Sequence, residues 1–444
     1  MASLPEKVRQ QFDFGPYPRI PIDSDPCPET QLLFRHNWVT PYYLHYHHVA
    51  NPATATILDA GCGTGYRTLA LALANPGAQV FGVDLSERSV ALARSRLDYH
   101  GRRDVQVHAL DIQDLPTLGL QFDYINCDDT LYLFQDPAAG LTLLKRVLKP
   151  GGIIRANLHS ALQREAAYRG QAVFRQLGLF NENPETDAVE TVQSLIGGLK
   201  PWVNLKRQTW KPQFAQADAT ADILMNYLFQ GDQGYTIPQM FAALDAADLQ
   251  FIRMVNWQQW RLPDLFDQLP PPLHQRLMEL PQSQQLQLFE LMHPVHRLLD
   301  FWCVNAQVNA PTSAVAQWDA LTWAKQWSQV SVYLHPQLRT KIFRQACLNS
   351  WRTHKPLILT AHLDPGVNTP VALDSRVAII LLMLVDTSPQ PLLNLIKRSM
   401  DLFPRDPDTL ETVTPEAVLA ELKHVLVALE AGVFVMFETR SFDS

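Results

Sequence analysis

Ile57-Leu58-Asp59-Ala60-Gly61-Cys62-Gly63-Thr64-Gly65-Tyr66-Arg67-Thr68 is the stretch from which the fold can be read. A short apolar run, three glycines at alternate positions and the start of a helical pattern follow one another without a gap. Alternating glycines let the backbone turn sharply and bring its amides against a ligand, because a Cβ there would block the approach. A dinucleotide-binding turn would read GxGxxG, with the sixth-position glycine allowing close helix–strand packing. Here the spacing is GxGxG, and Tyr66 takes that sixth position. Asp59, two residues before the first glycine, would repel a pyrophosphate and suits a ligand carrying an ammonium and a sulfonium. A glycine turn holding no ligand would satisfy the loop alone, so the flanking sequence has to decide.

Outward from the loop, apolar runs at 56–60, 79–84, 105–110, 122–126 and 152–158 alternate with helical segments near 66–75, 87–100 and 137–148. Continuous apolar strands alternating with amphipathic helices indicate βαβ units, hence a parallel sheet covered on both faces with right-handed crossovers. A helix at 237–247 and strands at 249–257 and 298–305 complete the expected class: α/β, Rossmann-like and doubly wound, a mostly parallel seven-stranded sheet. The second strand ends in Asp84, where a carboxylate can accept two ribose hydroxyl protons. The third ends in Leu110-Asp111-Ile112, an acid and an apolar side chain for an adenine's amino group and face. The fourth runs into Cys127-Asp128-Asp129. Any one of these acids could be an ordinary turn or helix cap. Acids at four successive strand ends instead line one crevice.

Residues 55 to 160 thereby resemble the class I S-adenosylmethionine-dependent methyltransferases, particularly the branch of quinone and small-molecule methylases. Leu58 to Gly65, Gly82-Val83-Asp84-Leu85-Ser86, Asp111-Ile112-Gln113-Asp114-Leu115-Pro116 and Leu148-Lys149-Pro150-Gly151-Gly152 carry the likeness. The resemblance implies S-adenosylmethionine as cofactor, with its methionine end near Asp59, Gly61, Gly63 and Gly65 and the intervening Cys62 and Thr64 in the same loop. It implies ribose on Asp84, Leu85 beside the adenine, and adenine near Asp111 and Ile112. Cys127 and Asp128 fall where the family's fourth-strand loop faces the sulfonium and the acceptor. Many relatives have small residues there and a His pair after the leucine, whereas this chain has Asp128 and Asp129, then Tyr132 and Leu133. The regions outside this core have a faint likeness to auxiliary domains attached to some protein-lysine methylases.

Methyl transfer from a sulfonium is an in-line displacement, so the main tasks are to align the acceptor and exclude water. A base is needed only for an acceptor that starts as an ammonium or a hydroxyl. Asp128 and Asp129 are the candidates for gripping or deprotonating an amine, with helix capping as their plainer role. Cys127 as a covalent nucleophile is disfavoured because Asn126, and not proline, precedes it. The expected acceptor is a small molecule or a protein amine; the alternative is a cofactor-binding but inactive scaffold acting through its C-terminal half.

Around this core, residues 1–50 read as a proline-rich arm, largely extended to residue 30, and a helix at 32–49 interrupted near Pro41, together covering the cofactor site. Tyr17, Tyr42 and Tyr43 are candidates for that cover. The methyltransferase-like domain is expected at 51–310, with helical insertions at 160–234 and 258–297 whose aromatics form their own core. A linker at 306–314 leads to an accessory domain at 311–444. There, helices at 378–385, 391–400 and 415–431 before a strand at 433–438 suggest a winged-helix-like α+β module. Its third helix lacks a basic face, so protein contact is preferred to DNA. His45 and His48 would share a helix face, but two histidines do not make a metal site, and no metal is expected. The net charge of −7 gives no pull toward polyanions, so nucleic acid is not the default partner. Five dispersed cysteines, no signal-peptide pattern and no apolar run of membrane-spanning length point to a cytoplasmic protein.

Overall fold

The computed structural model describes residues 4–184, 186–216, 219–308, 314–367, 369–406 and 409–439. By compactness the chain divides into two units. One comprises Met1–Pro26, Thr54–Ala72 and Gly77–Val308; the other comprises Cys27–Ala53, Leu73–Pro76 and Asn309–Ser444. The segment 1–50 expected to act as one cover is therefore divided after Pro26. Most of the expected linker, 309–313, lies outside the described residues.

The first unit is organised by seven strands: β1 (Thr56–Ala60), β2 (Gln79–Asp84), β3 (Gln106–Ala109), β4 (Phe122–Cys127), β5 (Leu148–His159), β6 (Leu249–Met254) and β7 (Leu298–Asn305). Their order is β3-β2-β1-β4-β5-β7-β6. β1 to β5 pair in parallel, and β7 is antiparallel to both neighbours. The sheet is thus the mostly parallel, Rossmann-like one expected. Strands covered on both faces must be apolar along nearly their whole length, as Ile57, Leu58, Tyr124, Ile125, Ile153 and Ile154 are. The polar exceptions form a row. The register sets Asp59 beside Asn126 and Asn126 beside Arg155, so β1, β4 and β5 each place one polar side chain in line.

The insertion after β5 carries helices Glu165–Gln176, Thr186–Gly198, Asn204–Thr209 and Thr220–Tyr227. Phe174, Ile196, Phe214 and Tyr227 make a core of their own beneath them. Helices Pro271–Met278 and Gln282–Met292 fill the stretch between β6 and β7. The arm, expected to be extended, begins with an 11-residue helix, Leu4–Phe14. Its i,i+3 and i,i+4 pairs, Glu6–Arg9 and Arg9–Asp13, support a helical turn ahead of the prolines.

The second unit has helices Thr30–His36 and Val39–Tyr46, so the expected break lies at Asn37–Trp38 and not at Pro41. Pro41 occupies the first turn of the second helix, where its missing N–H costs nothing. Strands β8 (Val330–Leu334), β11 (Gln390–Pro391) and β12 (Val435–Thr439) form a sheet with β8 central and antiparallel to both. β9 (Leu357–Ile358) and β10 (Ala372–Leu373) make a two-stranded ladder. Helices Ser375–Asp386, Leu392–Leu402 and Pro415–Glu430 lie close to the expected positions. The winged-helix reading is not confirmed: the central strand precedes all three helices, and helices Ala320–Gln326 and Lys341–Thr353 have no place in that motif. Among the described residues no helix is long and apolar enough to cross a membrane. No cluster of three or more His, Cys, Asp or Glu side chains placed to hold a metal occurs among them either.

Gly65 and Gly101 both have left-handed backbones, φ +80° and +67°. A Cβ on Gly65 would lie 2.8 Å from the Ala93 backbone, whereas one on Gly101 would meet nothing within 4 Å. Gly65→Ala is expected to cost about 2–4 kcal/mol of stability and Gly101→Ala only about 1 kcal/mol. Equal losses in chemical denaturation would refute the tight packing of the glycine turn.

Candidate active site

The carboxyl ends of β1, β2, β3 and β4 converge on one cavity of about 600 Å³. It lies where the strand order reverses between β1 and β4, the crevice in which open α/β sheets bind ligands. Gly61, Cys62, Gly63, Asp84, Leu85, Asp111, Ile112, Asp128 and Asp129 all line it. The loop is held in shape by Gly61 and Cys62, whose amides donate to the Val83 carbonyl at 2.8 and 2.9 Å. A Cβ on Gly61 would lie 2.2 Å from Thr130 Oγ1, and one on Gly63 would lie 2.3 Å from the Tyr17 carbonyl oxygen. The turn can pack this closely against Thr130 and Tyr17 only because neither residue has a side chain.

Asp84 accepts from the Gly63 amide through Oδ2 and from the Ser86 amide through Oδ1, both at 2.9 Å. Each oxygen keeps a further lone pair with which it could accept another hydrogen bond. Burial raises the carboxyl's pKa, against the two amides that favour its ionised form. Ile112 is buried and lines the cavity beside Asp111. Asp111 caps the short helix that follows, accepting from the Gln113 amide at 2.9 Å.

Four expected contacts do not line the cavity. Asp59 is 2% exposed and lies beneath its floor. Its oxygens are taken by Thr68 Oγ1 at 2.6 Å and Asn126 Nδ2 at 2.8 Å. Burial raises its pKa to about 6 although both donors oppose the rise. Thr64 holds the arm instead: its amide donates to the Tyr17 carbonyl at 3.2 Å and its Oγ1 to the Pro18 carbonyl at 2.7 Å. Gly65 backs onto Ala93. Cys127 is 0% exposed in the sheet core, where burial pushes its thiol pKa upward.

Asp128 and Asp129 reach the cavity already engaged by arginines. Arg67 meets Asp128 through Nε at 3.1 Å and Asp129 through Nη2 at 2.8 Å. Arg155 lies 3.4 Å from Asp128 and clasps Asp300 at 2.7 and 3.1 Å. Arg297 donates to Asp129 at 3.0 Å and, through Nη1, to His159 Nε2 at 2.9 Å. An arginine can only donate, so the His159 proton sits on Nδ1 and points at Asp232 Oδ1, 2.7 Å away. Burial lowers the His159 pKa despite Asp232, and the ring stacks on Tyr132 at 3.7 Å. Burial by itself would raise the Asp129 pKa, but Arg297 and Arg67 together hold it low. A carboxylate gripped in this way is a poor proton acceptor at neutral pH, which weighs against the base role anticipated for Asp129. Asp129 also adopts φ +54°, with its amide donating to Asn157 Oδ1 at 2.9 Å.

Sequence reasoning missed Arg67 as a lining residue, although it stands inside the quoted stretch, and also Val8, Arg9, Phe12, Leu133, Phe134 and Met225. The first helix is held over the cavity by Asp13, which accepts from Ser86 Oγ at 2.6 Å, and by Gln11, which donates to the Leu228 carbonyl at 3.1 Å. Tyr17 lines the cavity; Tyr42 and Tyr43 do not.

A family model described as a methyltransferase domain matches residues 52–217. An uncharacterized protein of Synechococcus sp. is 26% identical over 362 residues, 79% of this chain and 80% of that protein. The ubiquinone biosynthesis O-methyltransferase of Thiobacillus denitrificans is 36% identical over 25% of this chain and 45% of its own length. The magnesium-protoporphyrin O-methyltransferase of Rhodobacter capsulatus is 41% identical over 20% of this chain and 37% of its own. The chain thus spans less than half the length of these two O-methyltransferases. PKMT2 from Rickettsia typhi, solved in complex with AdoHcy, shares the fold with a TM-score of 0.58 at 17% identity, over 96% of this chain and 78% of its own.

Asp84→Ala is expected to weaken S-adenosylmethionine binding by about 1.5–3 kcal/mol in calorimetry, as charged hydrogen bonds to ribose are lost. An unchanged affinity would remove the ribose from this position. Asp232 gives a pH signature. Burial would raise its pKa, but His159 and Arg164 draw it down to about 2 from an ordinary 3.8. Its stabilisation is therefore present above about pH 4 and lost as the pH falls through about 2. Unfolding midpoints measured between pH 5 and 2 are expected to fall less steeply for Asp232→Asn than for the wild type.

Proposed function

We propose that this chain, whose residues 52–217 form a domain of the class I S-adenosylmethionine-dependent methyltransferase superfamily, methylates a neutral amine carried on a narrow apolar stem. A lysine side chain of a protein is the acceptor class that fits this description. S-adenosylmethionine supplies a methyl group already activated by the sulfonium, so the chain's own residues need only bind, align and dry the site.

The carrying observation is the pairing of two features in one cavity. Val8, Phe12, Leu133, Phe134 and Met225 give it an apolar side. Asp128 and Asp129, at its polar end, are neutralised by Arg67, Arg155 and Arg297. An ammonium entering apolar surroundings loses hydration, its pKa falls, and it gives up its proton to water on the way in. The neutral amine then needs no base from the protein. A hydroxyl acceptor would need one, and Asp129 is held as a poor base by Arg297 and Arg67.

The second reading is a small lipophilic acceptor, favoured by the identity of the cofactor-binding core to O-methyltransferases of small molecules. An inactive scaffold is not favoured, because the glycine cradle and Asp84 keep the form that cofactor binding requires.

Purified protein incubated with methyl-labelled S-adenosylmethionine and cell extract separates these readings. Label in protein bands, stable to base and released as methylated lysine on hydrolysis, is the expected result. Label confined to the small-molecule fraction would support the lipophilic acceptor. No label in either fraction, with cofactor binding intact, would revive the inactive scaffold.

A further inference from the structure

The cofactor implied by this cavity has two chemically different ends. The nucleoside end is served by Asp84, Ile112 and the amides of the glycine turn. The amino-acid end is a zwitterion, and its carboxylate needs a cation. Asp59, the acid expected near that end, lies below the floor with both oxygens occupied.

Two cationic side chains, Arg9 and Arg67, line the cavity among the described residues. Arg9 is committed along its whole guanidinium. Its Nε and Nη2 donate to Glu6 at 2.9 and 2.7 Å, and its Nη1 donates to Asp13 at 2.7 Å. It sits on the helix that Asp13 ties to Ser86, on the ribose side. Arg67 is placed differently. It follows the glycine turn by two residues and lines the cavity together with Asp129, to which it donates, and Tyr17. Asp128 and Asp129 fix its Nε and Nη2, while Nη1 has no hydrogen bond to any described residue. The side chain is 26% exposed and lines the cavity, which leaves this corner of the guanidinium for a ligand.

We propose that Arg67 recognises the α-carboxylate of the cofactor's amino-acid tail and makes the site selective for nucleosides that carry the whole tail. The inference rests on the reading that this cavity holds S-adenosylmethionine. The chemistry is that of one dipole facing another. Arg67 and Asp129 form a charge pair in the wall, and the zwitterion presents the opposite pair, its carboxylate to Nη1 and its ammonium to the Asp129 side. Neither partner brings net charge into the cavity, so burial is compensated locally. The guanidinium is pre-set by two carboxylates, which lowers the ordering cost of using its remaining N–H groups. In this scheme Asp128 and Asp129 serve the cofactor by aiming Arg67, which explains two adjacent buried acids that do not act as bases.

The test compares two probes by calorimetry. AdoHcy carries the tail, and 5′-methylthioadenosine has the same nucleoside and sulfur without it. In the wild type AdoHcy is expected to bind at least tenfold more tightly. Arg67→Met should weaken AdoHcy by about 10- to 100-fold and change 5′-methylthioadenosine less than twofold, with Arg67→Lys between the two. Retained binding of the short probe also certifies that each variant is folded. Equal weakening of both probes would make Arg67 a structural strut, and an AdoHcy affinity that does not respond to Arg67 would place the carboxylate elsewhere; either result overturns the proposal. Should Arg67→Met fail to fold, decarboxylated AdoHcy titrated into the wild type takes its place, with binding equal to that of AdoHcy overturning the proposal. A wild type that binds neither probe would instead overturn the cofactor reading itself.

Discussion

Two adjacent carboxylates in a wall that water barely reaches are tolerable only because three arginines arrive from separate parts of the chain. Asp128 and Asp129 follow β4; Arg67 comes from the helix after the glycine turn, Arg155 from the middle of β5 and Arg297 from the residue before β7. A buried ion whose partner is removed retains its desolvation penalty, which costs about 3–5 kcal/mol. The strand order therefore cannot be separated from the chemistry of the site. β4 and β5 must be neighbours for Arg155 to reach both Asn126 and Asp128. β7 must lie antiparallel against β5 for Asp300 to clasp Arg155.

The same network explains which parts of the site were legible in the sequence. The glycine turn and Asp84 act through local backbone geometry, and local spacing is what a sequence displays. Asp59 was legible as a special residue but not in its role. A buried acid at the end of a strand looks the same on paper whether it faces a ligand or, as here, a threonine nine residues away and an asparagine on the next strand. Arg297 had no signal at all, since 168 residues separate it from Asp129. Most of the seven strands were readable because they are short runs dominated by apolar residues. The C-terminal unit was not, because its central strand β8 precedes the helices that drew attention. The helix Leu4–Phe14 was hidden by the prolines that follow it, although its ion pairs recur at helical spacing.

The N-terminal segment carries a different lesson about how sequence encodes a cover. Residues 17–22 are held through their carbonyl groups: Thr64 binds Tyr17 and Pro18, and Arg96 binds Ile20 and Pro21, both at 2.6 Å. Arg96 also donates to the Thr64 carbonyl at 3.0 Å, so one buried guanidinium joins the strap to the glycine turn. Carbonyl groups are supplied by every residue. The strap's own side chains thus say little about where it lies, and the information resides in Arg96 and Thr64, on the surface that receives it.

Charge balance at the cavity's polar end also governs what the enzyme can ask of an acceptor. Had Asp128 and Asp129 been left unpaired, they would attract an ammonium and hold it charged, and a charged nitrogen has no lone pair to attack a methyl group. Had they been replaced by apolar residues, nothing would aim Arg67 or anchor Arg297 against His159. Pairing them with arginines avoids both outcomes. The acids become fixed dipoles in a preorganised wall, and preorganised dipoles act without reorganising when charge moves. In the proposed transfer to an amine, the sulfonium would lose its positive charge as the incoming nitrogen gained it, and a wall of balanced pairs would favour neither end strongly. Reactivity is then left to the alignment and dryness that the glycine cradle and the first helix provide.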